Sequence, residues 1–538
     1  MNRHGRRISL LILILMMPLK AQVIYETGDH LIYDFLYRLN QQKIININET
    51  NSPLSKNSIT YYLNEIGTKR AQLTDLQTKE LDWYKKRYLL ESGSEASILG
   101  ELNLIEDNFK LRLLPILGYG ISSTGDKNGF TRKVGAHLDA YISDNLGIMF
   151  EYLDSGEFGD NVDAKKLNTP RRGHFNKFPS NGIEFSDVRA QFNYNWNWGV
   201  ISLKKDYNQW GHGNYGQLIL SDKPASYPHI QLQLNPTKWL SINYIHGWLN
   251  SLVIDSAQSF YYGRSRVEPR IYEEYRSKYI AANFISITPN NTLTFSFGNS
   301  FIYSGDLRPE MFIPVMYYKV MDHNTGRGDT GDGNGMIYFD LGIKYPRNYL
   351  FYATAIIDVL NIRDMLHGIW HTQWFGYTVG GSVVDFGIEN LDFTLEYTKT
   401  DPWLYENKYE LTNYKHLSYS LGHWIGQNAD LLTSEFEYSF IRGMHISLMW
   451  QLFRKGDMQD IYYAYNDPQP LPFLYGERRI ETRIRLNIDY EFMHNIYLQG
   501  YWSYTDIKDE KAGRTVDFLI GSKHNIAFSI AYGLPTIY

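Results

Sequence analysis

The sequence contains no cysteine, and this absence excludes several kinds of site and of attachment. Without thiols the chain forms no disulfide framework, builds no thiolate metal site and carries no lipid on an N-terminal cysteine. The G-x-S-x-G, H-E-x-x-H and Walker A patterns of common hydrolases and nucleotide-binding enzymes are missing as well. We therefore predict that the protein is not an enzyme, has no cofactor and no metal, and is held in place by its own fold.

The net charge is small, and long apolar runs are rare. The formal net charge is -5 over 538 residues, and no basic stripe of the kind that binds nucleic acid is present. Beyond the N-terminus, no apolar run approaches the roughly 18 residues of a transmembrane helix. Three arginines precede an apolar run from Ile8 to Met17, and Ala21 follows. Because this run is too short for a membrane anchor, residues 1–21 are predicted to be a secretory signal peptide.

Aromatic residues are abundant, and they recur in segments of alternating polarity. The chain has 44 Tyr, 27 Phe and 12 Trp, and such side chains are enriched at membrane interfaces. The segment from Gln191 to Trp198 alternates an aromatic face with a polar face, and similar segments recur as far as Tyr532. Half of each such strand faces a polar lumen, which explains a mean hydropathy of -0.38. We predict an all-β transmembrane barrel of about 18 antiparallel strands over residues 101–538.

The period of the apolar residues is different before the barrel, between residues 22 and 100. Apolar stripes with the spacing of an α-helix begin at Leu31 and at Ile59. Thr74 and Gln77 form the pattern of a capping box, which predicts the start of a third helix. Residues 22–100 are therefore predicted to be a small α-helical bundle.

An unusual glycine-rich loop interrupts the strands between Trp210 and Asp222. It reads W-G-H-G-N-Y-G-Q-L-I-L-S-D and is followed by Tyr-Pro-His at residues 227–229. This segment resembles the W-G-P-G…L-L-x-S-D…P segment of the Wzi-like capsule assembly family, with His212 at the position of the family's proline. Further resemblance lies in L-R-P-E-M-F-I-P at residues 307–314 and in I-Y-F-D-L at residues 337–341. The resemblance extends loosely over the mature chain.

The resemblance implies a function that periodicity alone does not indicate. It implies a location in the bacterial outer membrane, with the helical bundle at the periplasmic mouth of the barrel. We expect a monomer, surrounded by outer-membrane lipid, that assembles or anchors capsular or other surface polysaccharide by non-covalent binding. A passive porin or uptake channel is the alternative.

Five residues are predicted to contact glycan: Arg189, Lys204, Trp210, His212 and Tyr215. The last three lie in the glycine-rich loop, where glycines allow sharp turns that present side chains outward. The two basic residues lie on the polar faces of neighbouring strands. Aromatic rings and basic groups suit the apolar faces and hydroxyl groups of sugars. Alternatively, Trp210 anchors the barrel rim at the membrane interface and the loop packs inside the barrel as a structural plug.

Several other polar groups have simpler explanations than a site. Charges of both signs lie on the predicted lumen faces, which favours a closed network of ion pairs over an ion-selective pore. These residues are Arg189, Lys204, Asp206, Asp392, Glu396, Glu435, Glu437, Arg483, Arg485 and Asp489. His367 and His371 indicate a pair that lines the mouth rather than zinc ligands, and the acidic loop 329–334 is typical of a flexible connection rather than a calcium site. Polar insertions at 155–180, 255–275, 322–335 and 455–478 are predicted to be extracellular loops.

Overall fold

The structure is a computed structural model that describes most of the chain after the predicted signal peptide. The described residues are 23–89, 100–106, 108–143, 145–174, 182–262, 270–324, 333–359, 362–367, 373–458, 461, 464 and 471–535. The signal peptide, His371 and most of the acidic loop 329–334 lie outside these ranges.

Eighteen antiparallel strands close into one barrel, which confirms the predicted fold and strand number. In chain order they are β1 Phe109–Thr124, β2 Lys127–Ile142, β3 Leu146–Gly159, β4 Gly182–Trp196, β5 Gly199–Asp206, β6 Tyr227–Thr237, β7 Leu240–Ile254, β8 Tyr275–Ile287, β9 Leu293–Ser304, β10 Asn334–Ile343, β11 Tyr349–Val359, β12 Trp374–Val383, β13 Leu391–Thr400, β14 Ala429–Ile441, β15 Met444–Lys455, β16 Arg479–Met493, β17 Ile496–Asp509 and β18 Gly521–Tyr532. Strand β18 closes the barrel on β1, with Tyr532 opposite Leu117. A short strand, Leu102–Glu106, pairs with the beginning of β1.

The alternation along the strands separates a lipid-facing surface from a polar interior. On β18, Phe528 is 50% exposed, and Ile526 and Ile530 are exposed beside it. Asn525 and Ser529, which point the other way, are buried at 7% and 1%. Apolar side chains outside and polar side chains inside are the arrangement that a barrel in a lipid bilayer requires.

The two ends of the barrel differ in the length of their connections. One end has tight turns, such as 197–198, 238–239, 442–443 and 494–495. The other end has most of the long connections, such as 160–181, 207–226, 255–274, 305–333, 401–428 and 456–478. Outer-membrane barrels have short periplasmic turns and long extracellular loops, so we assign the second end to the cell exterior. The four predicted extracellular loops all join strands at this end, although 175–181, 263–269, 325–332 and most of 459–470 lie outside the described residues.

Three helices precede the barrel, as the apolar periodicity predicts. They are α1 His30–Gln41, α2 Lys56–Thr68 and α3 Asp75–Tyr88. The predicted capping box is present, because the Thr74 side chain accepts from the Gln77 backbone N–H and the Gln77 side chain accepts from the Thr74 backbone N–H. Their apolar stripes form a common core that also contacts Tyr497 of β17. None of the helices that the structure describes is long and apolar enough to cross a lipid bilayer.

Buried ion pairs hold the helices in the mouth at the short-turn end. The guanidinium of Arg87 on α3 lies 2.7 Å from Asp29 and 3.0 Å from Glu491 of β16. Arg38 of α1 pairs with Asp392 of β13 at 2.8 Å. The helices therefore cover the periplasmic mouth, where the family resemblance places them.

Two long connections from the opposite end fold into the barrel. We call residues 207–226 the first plug loop and residues 401–428 the second plug loop. The side chains of Tyr405 and Tyr414 donate to the carbonyl oxygens of Leu218 and Ile219, which joins the two loops. Their apolar residues pack with residues of β6 to β11 in one buried cluster, comprising Trp210, Leu218, Ile219, Leu220, Tyr227, Ile245, Leu249, Ile280, Ala282, Phe284, Ile302, Met336, Tyr338, Ile356, Leu404, Tyr405, Tyr414 and Leu421. The lumen on this side is packed like a protein core.

Candidate functional site

Trp210, the first of the aromatic glycan candidates, lies at the centre of the buried cluster. Its side chain is fully buried and stacks on Phe284, with 5.6 Å between ring centroids. Its backbone donates to the carbonyl oxygen of Leu220, and it pairs with Asn51 from the segment before α2. Trp210 therefore joins the first plug loop to the N-terminal region and does not anchor the barrel rim.

His212 and Tyr215 fix the tip of the same loop to the barrel wall. The Nδ1 atom of His212 lies 2.7 Å from Asp340 of β10, and the His212 backbone N–H donates to the same carboxylate. Burial favours the neutral imidazole, but the charge and hydrogen bond of Asp340 outweigh it and raise the pKa of His212. The hydroxyl of Tyr215 donates to Glu435 at 2.8 Å, and its backbone N–H donates to Glu396.

Arg189 and Lys204 lie elsewhere, beside the N-terminal segment. Arg189 is buried, pairs with Glu151 at 2.5 Å and also contacts Thr27. The Nζ atom of Lys204 lies 4.2 Å from the centroid of the Tyr25 ring. The five candidates therefore fall in two places, with Arg189 and Lys204 on β4 and β5 and the other three in the first plug loop, where they contact β8, β10 and β13 to β14. Their direct contact with glycan stays a prediction, and a glycan that reaches Trp210 has to displace the plug.

Five of the ten charges on the lumen face form ion pairs, and three others accept hydrogen bonds from neutral side chains. His445 lies 2.9 Å from Glu437, and Gln499 donates to Asp489 at 2.6 Å. Arg483 pairs with Glu481. The structure shows that many partners come from the plug loops and the helices, which the sequence does not indicate.

Two cavities lie in the extracellular half of the barrel, on either side of a segment that we call the strap, residues 161–174. The first cavity has a volume of about 360 Å³ and lies between the strap and strands β16 and β17. The second has a volume of about 480 Å³ and lies between the strap, β2 to β4 and the plug loops. Both are lined by Glu157, Lys166 and Arg171, so the strap forms a shared wall.

Both cavities carry an excess of positive charge. Seven basic and three acidic residues line the first cavity, and the basic residues are Lys165, Lys166, Arg171, Arg479, Arg483, Arg485 and Arg514. Six basic and three acidic residues line the second, and the basic residues are Arg132, Lys133, Lys166, Arg171, Arg172 and Lys205. The whole chain carries a net charge of -5, so basic residues are concentrated at these cavities, although Asp509 pairs with Arg514, and Asp154 and Glu184 pair with Arg132.

Lys223 of the first plug loop holds the strap in position. Its ammonium group donates to the carbonyl oxygens of Thr169 at 2.8 Å and Arg171 at 2.7 Å, and also to that of Lys166. The hydroxyl of Tyr419 in the second plug loop donates to the carbonyl oxygen of Lys165. The plug loops therefore set the shape of both cavities.

The basic groups in and beside the strap differ in their pKa values. Burial lowers the pKa of Lys223 to about 7 and that of Lys166 to about 8. Lys166 keeps an acidic partner, Glu157, at 2.6 Å. Burial also lowers the pKa of His174 to about 3, so its imidazole, which stacks on Phe185, is neutral at physiological pH. The charge that faces the cavities therefore comes from Lys and Arg rather than from His.

Sequence analysis does not identify these cavities, although a signal is present. The basic pairs Lys165-Lys166 and Arg171-Arg172 lie in a long connection, where charged residues ordinarily face solvent. In the part of the chain that the structure describes, no cluster of three His, Asp or Glu side chains is arranged to hold a metal. His367 is exposed and lies 2.7 Å from the carbonyl oxygen of Arg363.

Comparisons with known proteins agree with this architecture. Among solved structures, one described as Wzi, an outer-membrane protein involved in group 1 capsule assembly in Escherichia coli and a carbohydrate-binding β-barrel, is 14% identical in sequence. The match covers 96% of this chain and 100% of that chain, with a TM-score of 0.58, and it supports the barrel fold.

Two other barrel structures match less well. OccAB4 of Acinetobacter baumannii and OprD of Pseudomonas aeruginosa are each 10% identical and cover 79% and 81% of this chain. They are matched over 98% and 97% of their own lengths. Their TM-scores of 0.43 and 0.41 are too low to support an inference.

Comparison of the sequence with family profiles identifies the family of the chain. No curated protein sequence matched the chain. The sequence profile of the family described as capsule assembly protein Wzi matches residues 135–517, which is more than half of the chain. The chain therefore belongs to the family of the capsule assembly protein Wzi, and it is an outer-membrane β-barrel.

Proposed function

We propose that this protein anchors capsular or other surface polysaccharide at the outer membrane, and that the polysaccharide binds non-covalently in the two cavities beside the strap. The observation that carries the proposal is the basic lining of both cavities at the end assigned to the cell exterior. The description of the Escherichia coli relative as a carbohydrate-binding barrel involved in capsule assembly supports it.

The lining suits an acidic glycan. Arginine forms paired hydrogen bonds with carboxylate and phosphate groups, which acidic sugars and their substituents carry. The guanidinium of Arg485 lies 3.9 Å from the centroid of the Tyr501 ring, and Phe158 and Phe518 also line the first cavity. Such rings stack on the apolar faces of sugars. A polymer that makes many weak contacts of this kind is retained more strongly than any one contact allows.

We further propose that binding involves no catalysis, and that the protein is a monomer whose outer wall contacts outer-membrane lipid. The absence of common catalytic motifs supports the first statement. The closed barrel supports the second, since its strands pair within one chain and leave no open sheet edge for a second subunit.

The five glycan candidates from the sequence receive an indirect role in this proposal. Trp210, His212 and Tyr215 fix the first plug loop, and Lys223 of that loop fixes the strap. Arg189 and Lys204 fix β4 and β5 to the N-terminal segment. All five then support the cavities from below rather than contact the sugar.

Removing two charges from the first cavity tests the proposal. In a deletion strain that sheds its polysaccharide, an Arg483→Gln/Arg485→Gln variant is expected to restore retention at least about tenfold less well than the wild-type chain. A hydrogen bond to a charged group contributes about 1.5–3 kcal/mol, and about 1.4 kcal/mol is a factor of ten in affinity. Retention is measured as the ratio of cell-bound to shed polysaccharide.

The matched control is Lys127→Gln/Lys508→Gln, which removes the same charge at the same end of the barrel. Neither residue lines a cavity. Heat-modifiable gel mobility reports whether each variant forms a folded barrel. Retention by a folded Arg483/Arg485 variant at the wild-type level, or an equal loss in the control, contradicts the proposed site.

The helices and plug loops that fill the barrel also predict its conductance, which tests the alternative function as a porin. The helices cover the periplasmic mouth, and the plug loops pack against β6 to β11. Purified protein in planar bilayers is therefore expected to show no steady conductance of the kind that open porins show. Stable open channels in most insertions favour the channel function instead.

A further inference from the structure

The described part of the connection between β9 and β10 packs against the outside of the barrel. We call its residues 305–324 the flap; it contains a short helical turn, Pro309–Phe312, and a helix, Tyr318–Asn324. Met311 and Tyr318 of the flap form a buried cluster with residues of β7 to β9. Those wall residues are Tyr244, Tyr279, Ala281, Phe301 and Tyr303.

The alternation of the strands shows that this cluster is on the outer face. On β8, Ile280, Ala282 and Phe284 belong to the cluster inside the lumen, so Tyr279 and Ala281 point outward. Yet Ala281 is fully buried, whereas outward residues elsewhere, such as Phe528, are about half exposed. The flap therefore covers a part of the wall that otherwise faces lipid.

Two amide side chains lie beneath the flap, and their contact with lipid would be energetically unfavourable. Asn283 and Asn299 are opposite each other on β8 and β9, and both donate to the carbonyl oxygen of Met316, at 2.8 and 2.9 Å. Asn299 also accepts from the backbone N–H of Tyr318 at 3.1 Å. Asn299 lies in the middle of β9, and a polar group at this height has no water to bind in hydrocarbon.

The flap satisfies its own polar groups in the same way. The Tyr244 hydroxyl donates to the carbonyl oxygen of Met311, and the Tyr318 hydroxyl donates to that of Ile313. Arg308 pairs with Asp322, and both are buried. Irregular backbone at membrane depth persists where protein groups satisfy it, and these contacts meet that condition.

The outer surface of the flap is apolar. Six large apolar residues are exposed on it, and they are Leu307, Phe312, Ile313, Val315, Tyr317 and Val320. Val315 is 56% exposed, which resembles the 42% exposure of Phe339 on the neighbouring lipid-facing wall of β10. Lys319 is exposed as well, and it lies against Gly335 near the extracellular end of β10. At this height a long lysine side chain reaches the interface between membrane and water.

We propose that the flap lies within the membrane and that its outer surface binds the acyl chains of outer-membrane lipid. The exposed apolar residues lie beside the lipid-facing belt of the barrel, the amide and carbonyl groups face the wall, and Asp306 and Lys319 are exposed charges of the flap. The proposal does not rest on the polysaccharide function. It gives the segment L-R-P-E-M-F-I-P a place in the membrane rather than in an extracellular loop.

The absence of cysteine makes a clean test possible. A single Val315→Cys variant carries a nitroxide spin label, and the protein is reconstituted into phosphatidylcholine vesicles. The ratio of collisions with oxygen to collisions with a water-soluble nickel complex measures whether the label lies in lipid. Phe339→Cys on the belt and Lys165→Cys on the strap provide the lipid and water references.

The ratio at Val315 is expected to match that at Phe339 and to exceed that at Lys165. A ratio equal to that at Lys165 overturns the proposal, because the flap then stands in water. A label shielded from both reagents overturns it as well, because the surface is then covered by protein. If the Val315 variant lacks heat-modifiable mobility, Val320→Cys takes its place with the same criteria.

Discussion

Replacing Trp210 with alanine is expected to loosen the plug while the barrel stays closed. The fully buried indole stacks on Phe284, so its removal leaves a large cavity, while the backbone of Trp210 pairs with Asn51 and Leu220. Such a change costs about 3–5 kcal/mol in a well-packed core. We expect faster proteolysis of the first plug loop and intermittent current steps in planar bilayers, with unchanged heat-modifiable mobility.

Trp198→Ala is the matched control, because that tryptophan is 47% exposed in the β4 to β5 turn. It is expected to behave like the wild-type protein. A Trp210→Ala variant whose proteolysis and currents equal those of the control contradicts the structural role of the indole.

A double variant, Trp210→Ala/Tyr215→Ala, separates direct glycan contact from the indirect role. If these residues act through the plug, loss of polysaccharide retention accompanies faster proteolysis, because the loop that they fix also carries Lys223. If they contact sugar directly, retention is lost while proteolysis of the plug is unchanged. We expect the first result.

Replacing Arg87 with alanine is expected to release the helices from the barrel mouth. Arg87 is buried and pairs with Asp29 and Glu491, and its guanidinium also donates to Asn495 and Tyr497. Removing one partner of a buried pair costs about 3–5 kcal/mol, since it leaves buried charge without compensation. Proteolysis within α3 is the measurement, and the barrel is expected to remain folded.

Arg70→Ala provides the comparison for this variant. Arg70 pairs with Asp82 at 2.6 Å in the same helical region, but both side chains are about half exposed. Exposed pairs are screened by water and salt, so this change is expected to have little effect. Similar proteolysis of the Arg70 and Arg87 variants contradicts the assigned role of Arg87.

The sequence predicts the barrel well because its pattern is local. A period of two residues and the short turns predict the strands, and a period of 3.6 with the capping box at Thr74 predicts the helices. The plug interpretation of the Trp210 loop also agrees with the structure. These features depend on neighbours along the chain, so no tertiary information is needed.

The cavities and the flap depend on contacts between distant residues, and the sequence does not indicate them. Tyr244 and Phe301 have the alternation of lipid-facing residues, and nothing local shows that residues 305–324 cover them. The second plug loop mixes polar and aromatic residues in no regular period, and nothing local shows that it folds into the barrel. Lys223 and the carbonyl oxygens that it contacts are more than fifty residues apart.

The way in which Lys223 holds the strap has a consequence for the evolution of the cell surface. Lys223 contacts backbone oxygens of the strap and not its side chains. A mutation that changes a strap side chain therefore leaves this attachment intact. A lineage that alters the composition of its coat is free to vary the residues that meet the new sugar, one at a time, while the scaffold beneath them is inherited without change.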